Sequence, residues 1–105
     1  LRYRCDGGRL GAPDVFCTTE PGFPDGLCFD SEGRLYVAAT LAHEVQVFGP
    51  DGARLDSLPC GAGSMPTNCC FGGPDGSTLF VTDSRGGRVL AFDLDAPGLP
   101  LFPFR

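Results

Sequence analysis

Residues 24–29 read PDGLCF, and residues 66–71 read PTNCCF, a step of 42 positions along the chain. The segments that follow repeat in the same order, as GRLYVA at 33–38 against STLFVT at 77–82 and EVQVF at 44–48 against RVLAF at 88–92. Three short apolar segments that recur together at this period are typical of the blades of a β-propeller.

The apolar residues in each unit alternate or form short runs, and no segment free of Gly and Pro has helical spacing. The pattern therefore predicts an all-β chain with four short antiparallel strands per unit. We expect these strands at about 26–30, 34–39, 44–48 and 53–58, then at 67–71, 78–83, 87–92 and 99–103.

The first residues predict an outer hairpin of a preceding blade, with strands at 1–5 and 15–18 and a turn at 6–9. The fold predicted from the sequence is thus a β-propeller fragment: two four-stranded antiparallel blades plus that hairpin. We expect one partial domain over 1–105, divided into 1–22, 23–60 and 65–105.

A propeller blade packs both faces against neighbours, and a ring typically contains four to eight blades. We therefore expect this chain to need upstream blades, or self-association, to close a ring. The more favoured expectation is that it is part of a longer protein.

Composition excludes some partners and constrains the redox setting. The net charge is −5 and no Lys/Arg cluster is present, so nucleic acid is not an expected partner. No apolar stretch is long enough to span a bilayer. The six cysteines lack zinc-ligand spacing, and Cys28, Cys69 and Cys70 lie in apolar runs, so we expect reduced, buried thiols and a cytoplasmic setting. Cys5 and Cys17 flank the predicted hairpin and are the pair that could face each other.

Two blocks carry a family resemblance: FPDGLCFDSEGRLYVA at 23–38 and PTNCCFGGPDGSTLFVT at 66–82. They resemble the senescence-marker-protein (regucalcin) and gluconolactonase family of six-bladed propellers. The resemblance implies hydrolysis of sugar lactones at one divalent cation, Ca²⁺, Zn²⁺, Mg²⁺ or Mn²⁺, in the central channel. It assigns one metal ligand to this chain, Asp25; the family's glutamate and two asparagine ligands come from earlier blades.

Asp25 also stands out by its position in the repeat. Pro-Asp-Gly occurs three times, and the repeat places Asp51 and Asp75 in hairpin turns but Asp25 at the start of a first strand. First strands line the channel, so Asp25 is predicted to be a metal ligand, the catalytic base, or both. A plain turn or strand-capping role is the alternative.

Thr67 and Asn68 occupy the matching place in the next blade. They are candidates for a substrate pocket that hydrogen-bonds sugar hydroxyls, although capping the strand start is the simpler role. His43 is expected in a surface turn and Asp83 at the start of a turn. The sequence therefore predicts the C-terminal part of a divalent-metal-dependent lactonase; the alternative is a non-catalytic propeller used for binding or as a scaffold.

Overall fold

The computed structural model describes residues 1–101, which contain nine β-strands and one 3₁₀ turn at Thr40–Ala42. The strands are β1 (Arg2–Asp6), β2 (Arg9–Asp14), β3 (Pro24–Phe29), β4 (Leu35–Ala39), β5 (Glu44–Phe48), β6 (Arg54–Pro59), β7 (Pro66–Gly72), β8 (Thr78–Asp83) and β9 (Arg88–Asp93). No helix among these residues is long and apolar enough to cross a membrane.

Sequence neighbours pair antiparallel in three sheets: β1-β2, β3-β4-β5-β6 and β7-β8-β9. This is the predicted propeller fragment, with a hairpin followed by two blades. The last blade has three strands within the described residues. The fourth strand predicted at 99–103 lies partly outside them, and Leu99 donates its N–H to the Phe29 carbonyl of β3 (2.9 Å) instead of extending the sheet beyond β9.

The opening hairpin differs from the prediction in its second strand. Gly7 and Gly8 both have positive φ, 54° and 77°, which makes a tight turn of the kind that suits a two-residue hairpin loop. Pairing therefore resumes at once, with Asp6 opposite Arg9, and the second strand is β2, not 15–18. Cys5 consequently lies opposite Leu10, so Cys5 and Cys17 do not face each other across the hairpin, and both are free thiols.

The main core lies between the two blades. Its buried members come from β4, β5, β7 and β8 and from Cys60 just after β6, and the Tyr36 ring meets Phe71 edge-to-face at 5.2 Å. A smaller cluster of Leu35, Val37 and Phe48 packs against Phe16 on the opposite face of the first blade. Since β4 is buried on both faces, its sequence LYVAA is continuously apolar.

Candidate active site

The starts of β3 and β7 lie at the same end of the two blades. Pro24 pairs with Ala39, Pro66 pairs with Asp83, and the Thr40 hydroxyl donates to the Pro66 carbonyl at 2.8 Å. We call this end the upper rim and define it by residues 23–26, 40–43 and 64–68. All three site residues predicted from the sequence lie on it.

β3 and β7 are the first strands of the two blades, and we call them the innermost strands. Each carries a β-bulge at the upper rim. Pro24 pairs with Ala39 and Leu27 pairs with Val37, so Asp25 and Gly26 of β3 together lie opposite a single residue of β4. In β7, Thr67 is the extra residue between the pairs made by Pro66 and Asn68. A bulge redirects a side chain and is frequent beside active sites.

The Asp25 side chain is exposed and makes no hydrogen bond or ion pair within residues 1–101. The backbone just before it is unusual, because Phe23 has φ of 71° and its carbonyl accepts the Thr40 N–H at 3.2 Å. A positive φ at a bulky residue is uncommon and is held only where the surroundings fix it. The carboxylate is thus free for a ligand on an anchored segment.

Asn68 and Thr67 are held by contacts within the protein. The Asn68 Oδ1 accepts the Cys69 N–H at 2.9 Å and packs directly against Gly26 of the neighbouring blade. The Thr67 hydroxyl lies 2.9 Å from that of Thr82. These bonds hold both side chains within the sheet, while the strand-capping and substrate-pocket roles stay predictions. The Asn68–Gly26 contact places the two bulged strands side by side.

The chain supplies few metal donors at this rim. Within residues 1–101, no group of three or more His, Cys, Asp or Glu side chains comes together to hold a cation. Asp25 fits a single ligand position, since a free carboxylate oxygen is the donor that hard divalent cations prefer. Any further ligands would have to come from other segments.

The sequence predicted only a turn role for Asp83, but its side chain also bonds a distant segment of the backbone. It is buried; Oδ1 accepts the N–H groups of Met65 (2.9 Å) and Gly86 (3.1 Å), and Oδ2 accepts Arg88 Nε at 2.9 Å. The two backbone donors, followed by Arg88, lower the pKa of Asp83 to about 2. The bond to Gly86 fits the predicted turn role, but the bond to Met65 ties that turn to the connection between the blades.

His43 lies in the predicted surface turn. It is exposed and adopts the left-handed conformation after the 3₁₀ turn, with φ of 58°. Its Nδ1 lies 2.5 Å from the Ser64 carbonyl, which links two upper-rim segments. His43 therefore has a structural contact and no carboxylate partner within residues 1–101.

The family model described as the SMP-30/Gluconolactonase/LRE-like region matches residues 1–85. The chain belongs to this family. Regucalcin of Sus scrofa is 40% identical over 100 aligned positions, covering 81% of this chain and 33% of the relative. Regucalcin of Danio rerio is 41% identical over 69 positions, covering 65% of this chain and 23% of the relative.

Two solved structures agree with the fold. The crystal structure of a proposed gluconolactonase superposes with a TM-score of 0.83 at 33% identity, over 95% of this chain and 33% of that one. A luciferin-regenerating enzyme superposes with a TM-score of 0.71 at 28% identity, over 78% of this chain and 29% of that one. The chain thus spans about a third, or less, of the length of these relatives.

Proposed function

We propose that this chain contributes one side of the active site of a divalent-metal-dependent hydrolase of sugar lactones. The observation that carries the proposal is the unbonded Asp25 carboxylate on a bulge of the innermost strand, in a member of the gluconolactonase family. The other ligands would come from further blades of a longer chain or from associated copies. A cytoplasmic setting belongs to the same proposal and is supported by six cysteines, all free thiols.

Asp25 would hold the cation with one carboxylate oxygen and accept a proton from the attacking water with the other. A bound divalent cation would polarise the lactone carbonyl as a Lewis acid. The backbone hydrogen bond from Thr40 to Phe23 holds the segment that carries Asp25 and leaves both carboxylate oxygens free. Preorganisation of this kind lowers the cost of reaching the productive geometry.

Thr67 and Asn68 would face the sugar from the neighbouring blade. The Thr67 hydroxyl and the Asn68 amide nitrogen are able to bond sugar hydroxyls, while Asn68 Oδ1 remains occupied by the Cys69 N–H. Each such bond to a neutral group would contribute about 0.5–1.5 kcal/mol of binding free energy. They are therefore expected to affect KM more than kcat.

The test is Asp25→Asn in the complete protein that carries this sequence, with lactone hydrolysis and metal content measured together. Loss of a group that holds the cation and takes a proton should lower kcat/KM by about 10²-fold or more and reduce bound metal. Chelation should reduce the wild-type activity in the same assay.

Asp75→Asn is the matched control, because Asp75 is an exposed aspartate of another Pro-Asp-Gly with no hydrogen bond among the described residues. It should keep full activity. Full activity and metal content in Asp25→Asn would overturn the proposed role and favour the non-catalytic binding or scaffold alternative.

A further inference from the structure

Two cysteines from adjacent innermost strands meet below the upper rim. The Cys28 Sγ of β3 lies 3.6 Å from the Cys69 Sγ of β7, and this is the only sulfur–sulfur hydrogen bond in residues 1–101. The two cysteines are 41 positions apart in the chain. Their approach is a product of blade packing and is not a local turn.

The two thiols share a hydrogen bond in a fixed environment. Cys69 is 5% exposed, and its Sγ also lies 3.6 Å from the Tyr36 carbonyl. Either thiol can donate in this bond. When the Cys69 S–H points to the Tyr36 carbonyl and Cys28 donates, the bond lowers the pKa of Cys69 and raises that of Cys28. Cys69 is therefore the better nucleophile of the two, since the thiolate is the reactive form.

Small molecules can reach the pair. Cys28 and Cys69 line an open cavity of about 330 Å³ beside Phe29 and Phe71, and Cys28 is only partly buried. A cavity of this size admits a molecule as small as water or hydrogen peroxide. The lining is mostly apolar, so small neutral oxidants are favoured over charged ones.

We propose that Cys28 and Cys69 form a redox-active dithiol, which hydrogen peroxide converts into a disulfide joining the innermost strands of the two blades. The sulfur atoms must approach by about 1.5 Å to reach the 2.05 Å bond length, a movement that rotation about the cysteine Cα–Cβ bonds would have to supply. The disulfide would fix the Asp25 bulge relative to the Asn68 bulge.

The chemistry is balanced in two steps. The Cys69 sulfur attacks one peroxide oxygen, the O–O bond breaks, a sulfenic acid forms, and the released hydroxide leaves as water with the thiol proton. The Cys28 sulfur then attacks the Cys69 sulfur, the S–O bond breaks, and a second water carries off the Cys28 proton. Two sulfurs lose two electrons in total and the two peroxide oxygens gain them; a dithiol reductant reverses the change.

The experiment treats the native chain with hydrogen peroxide, alkylates the remaining thiols and digests with a protease that cleaves before aspartate. That cleavage isolates Cys28 in peptide 25–29, away from Cys17, while peptide 56–74 carries Cys60, Cys69 and Cys70. Mass spectrometry should find these two peptides joined, with the cross-link removed by dithiothreitol. The cross-link should disappear in Cys69→Ser and persist in Cys70→Ser, the matched control one residue away.

A second readout is thermal unfolding of the oxidised and reduced wild-type chain. A bond that closes a loop of this length should raise Tm by at least about 4 °C, and Cys28→Ser should show no such rise. The proposal is overturned if Cys28 is recovered as a thiol or sulfinic acid while exposed Cys5 and Cys70 are oxidised. It is equally overturned if the cross-link survives Cys69→Ser, or if oxidation lowers Tm.

Discussion

The chemistry open to a carboxylate depends on what already occupies its oxygens. Asp30 is fully buried and accepts bonds from the Glu32 and Arg34 backbone, the Arg34 guanidinium and the Tyr36 hydroxyl. Asp83 is similarly saturated. Asp25, by contrast, has both oxygens free among the described residues. Saturated carboxylates stabilise the fold, whereas a free one on an anchored backbone is available to a cation.

The sequence separated Asp25 from the other Pro-Asp-Gly segments by its place in the repeat. Asp51 does cap its own turn, with Oδ1 accepting the Ala53 N–H at 3.0 Å, as the turn prediction implies. Asp83 was underestimated because its partner Met65 lies in the connection between blades. A single sequence does not show which backbone N–H groups will converge on a side chain from a distant segment.

Asp83 should make stability depend on pH in the acidic range. Its folded-state pKa, about 2, lies below the ordinary value of 3.8. The stabilisation is therefore fully present above about pH 4 and is lost as the pH falls through about 2. Denaturant unfolding at a series of pH values should show that Asp83→Asn destabilises the chain most near neutrality and progressively less towards pH 2.

The control for this series is Asp75→Asn, since Asp75 is exposed and has no bond among the described residues. Its unfolding curves should follow the wild type at every pH. A constant destabilisation by Asp83→Asn from pH 7 to pH 2 would show that the ionised carboxylate contributes nothing specific.

At the scale of the strand, the repeat identified seven of the blade strands to within about two residues but not the bulges in β3 and β7. The alternation of apolar residues indicates which face of the sheet a side chain occupies. Both bulges lie before the apolar residues of their strands, so they leave that alternation unchanged. Both bulges follow a proline, Pro24 or Pro66, where the missing N–H cannot join the ladder. Proline at a strand start is thus the one local signal that was available.

The contact between the bulged strands depends on Gly26. A Cβ at this position would lie 2.8 Å from the Asn68 Cα, a backbone atom that no side-chain rotation can move. Gly26→Ala should therefore lower the free energy of unfolding by about 1–3 kcal/mol, the usual cost of overpacking. Denaturant unfolding monitored by circular dichroism measures it.

Gly22→Ala is the matched control, because an added Cβ there meets no atom within 4 Å. It should leave the unfolding midpoint nearly unchanged. An unchanged midpoint for Gly26→Ala as well would mean that the two blades do not pack as closely as the Gly26–Asn68 contact requires.

At the scale of the whole molecule, the second blade covers one face of the first blade, and the opposite face is partly exposed. The open side presents Leu27, which is 54% exposed, near Leu1, Phe16 and Leu35. The edge strand β9 pairs only with β8 among the described residues. Exposed apolar faces and open strand edges both favour association, and blade packing in a propeller would cover them.

The isolated chain should accordingly associate in solution, with a mass by light scattering that rises with concentration. Leu27→Gln removes apolar surface from the open face, and the loss of roughly 1.5 kcal/mol or more should weaken association about tenfold. Leu41→Gln is the control, since Leu41 is 47% exposed but lies on the 3₁₀ turn of the upper rim, away from that face. Equal effects of the two substitutions would show that association does not use the open face of the first blade. A monomer mass that does not change with concentration would show that this face stays exposed to solvent without association.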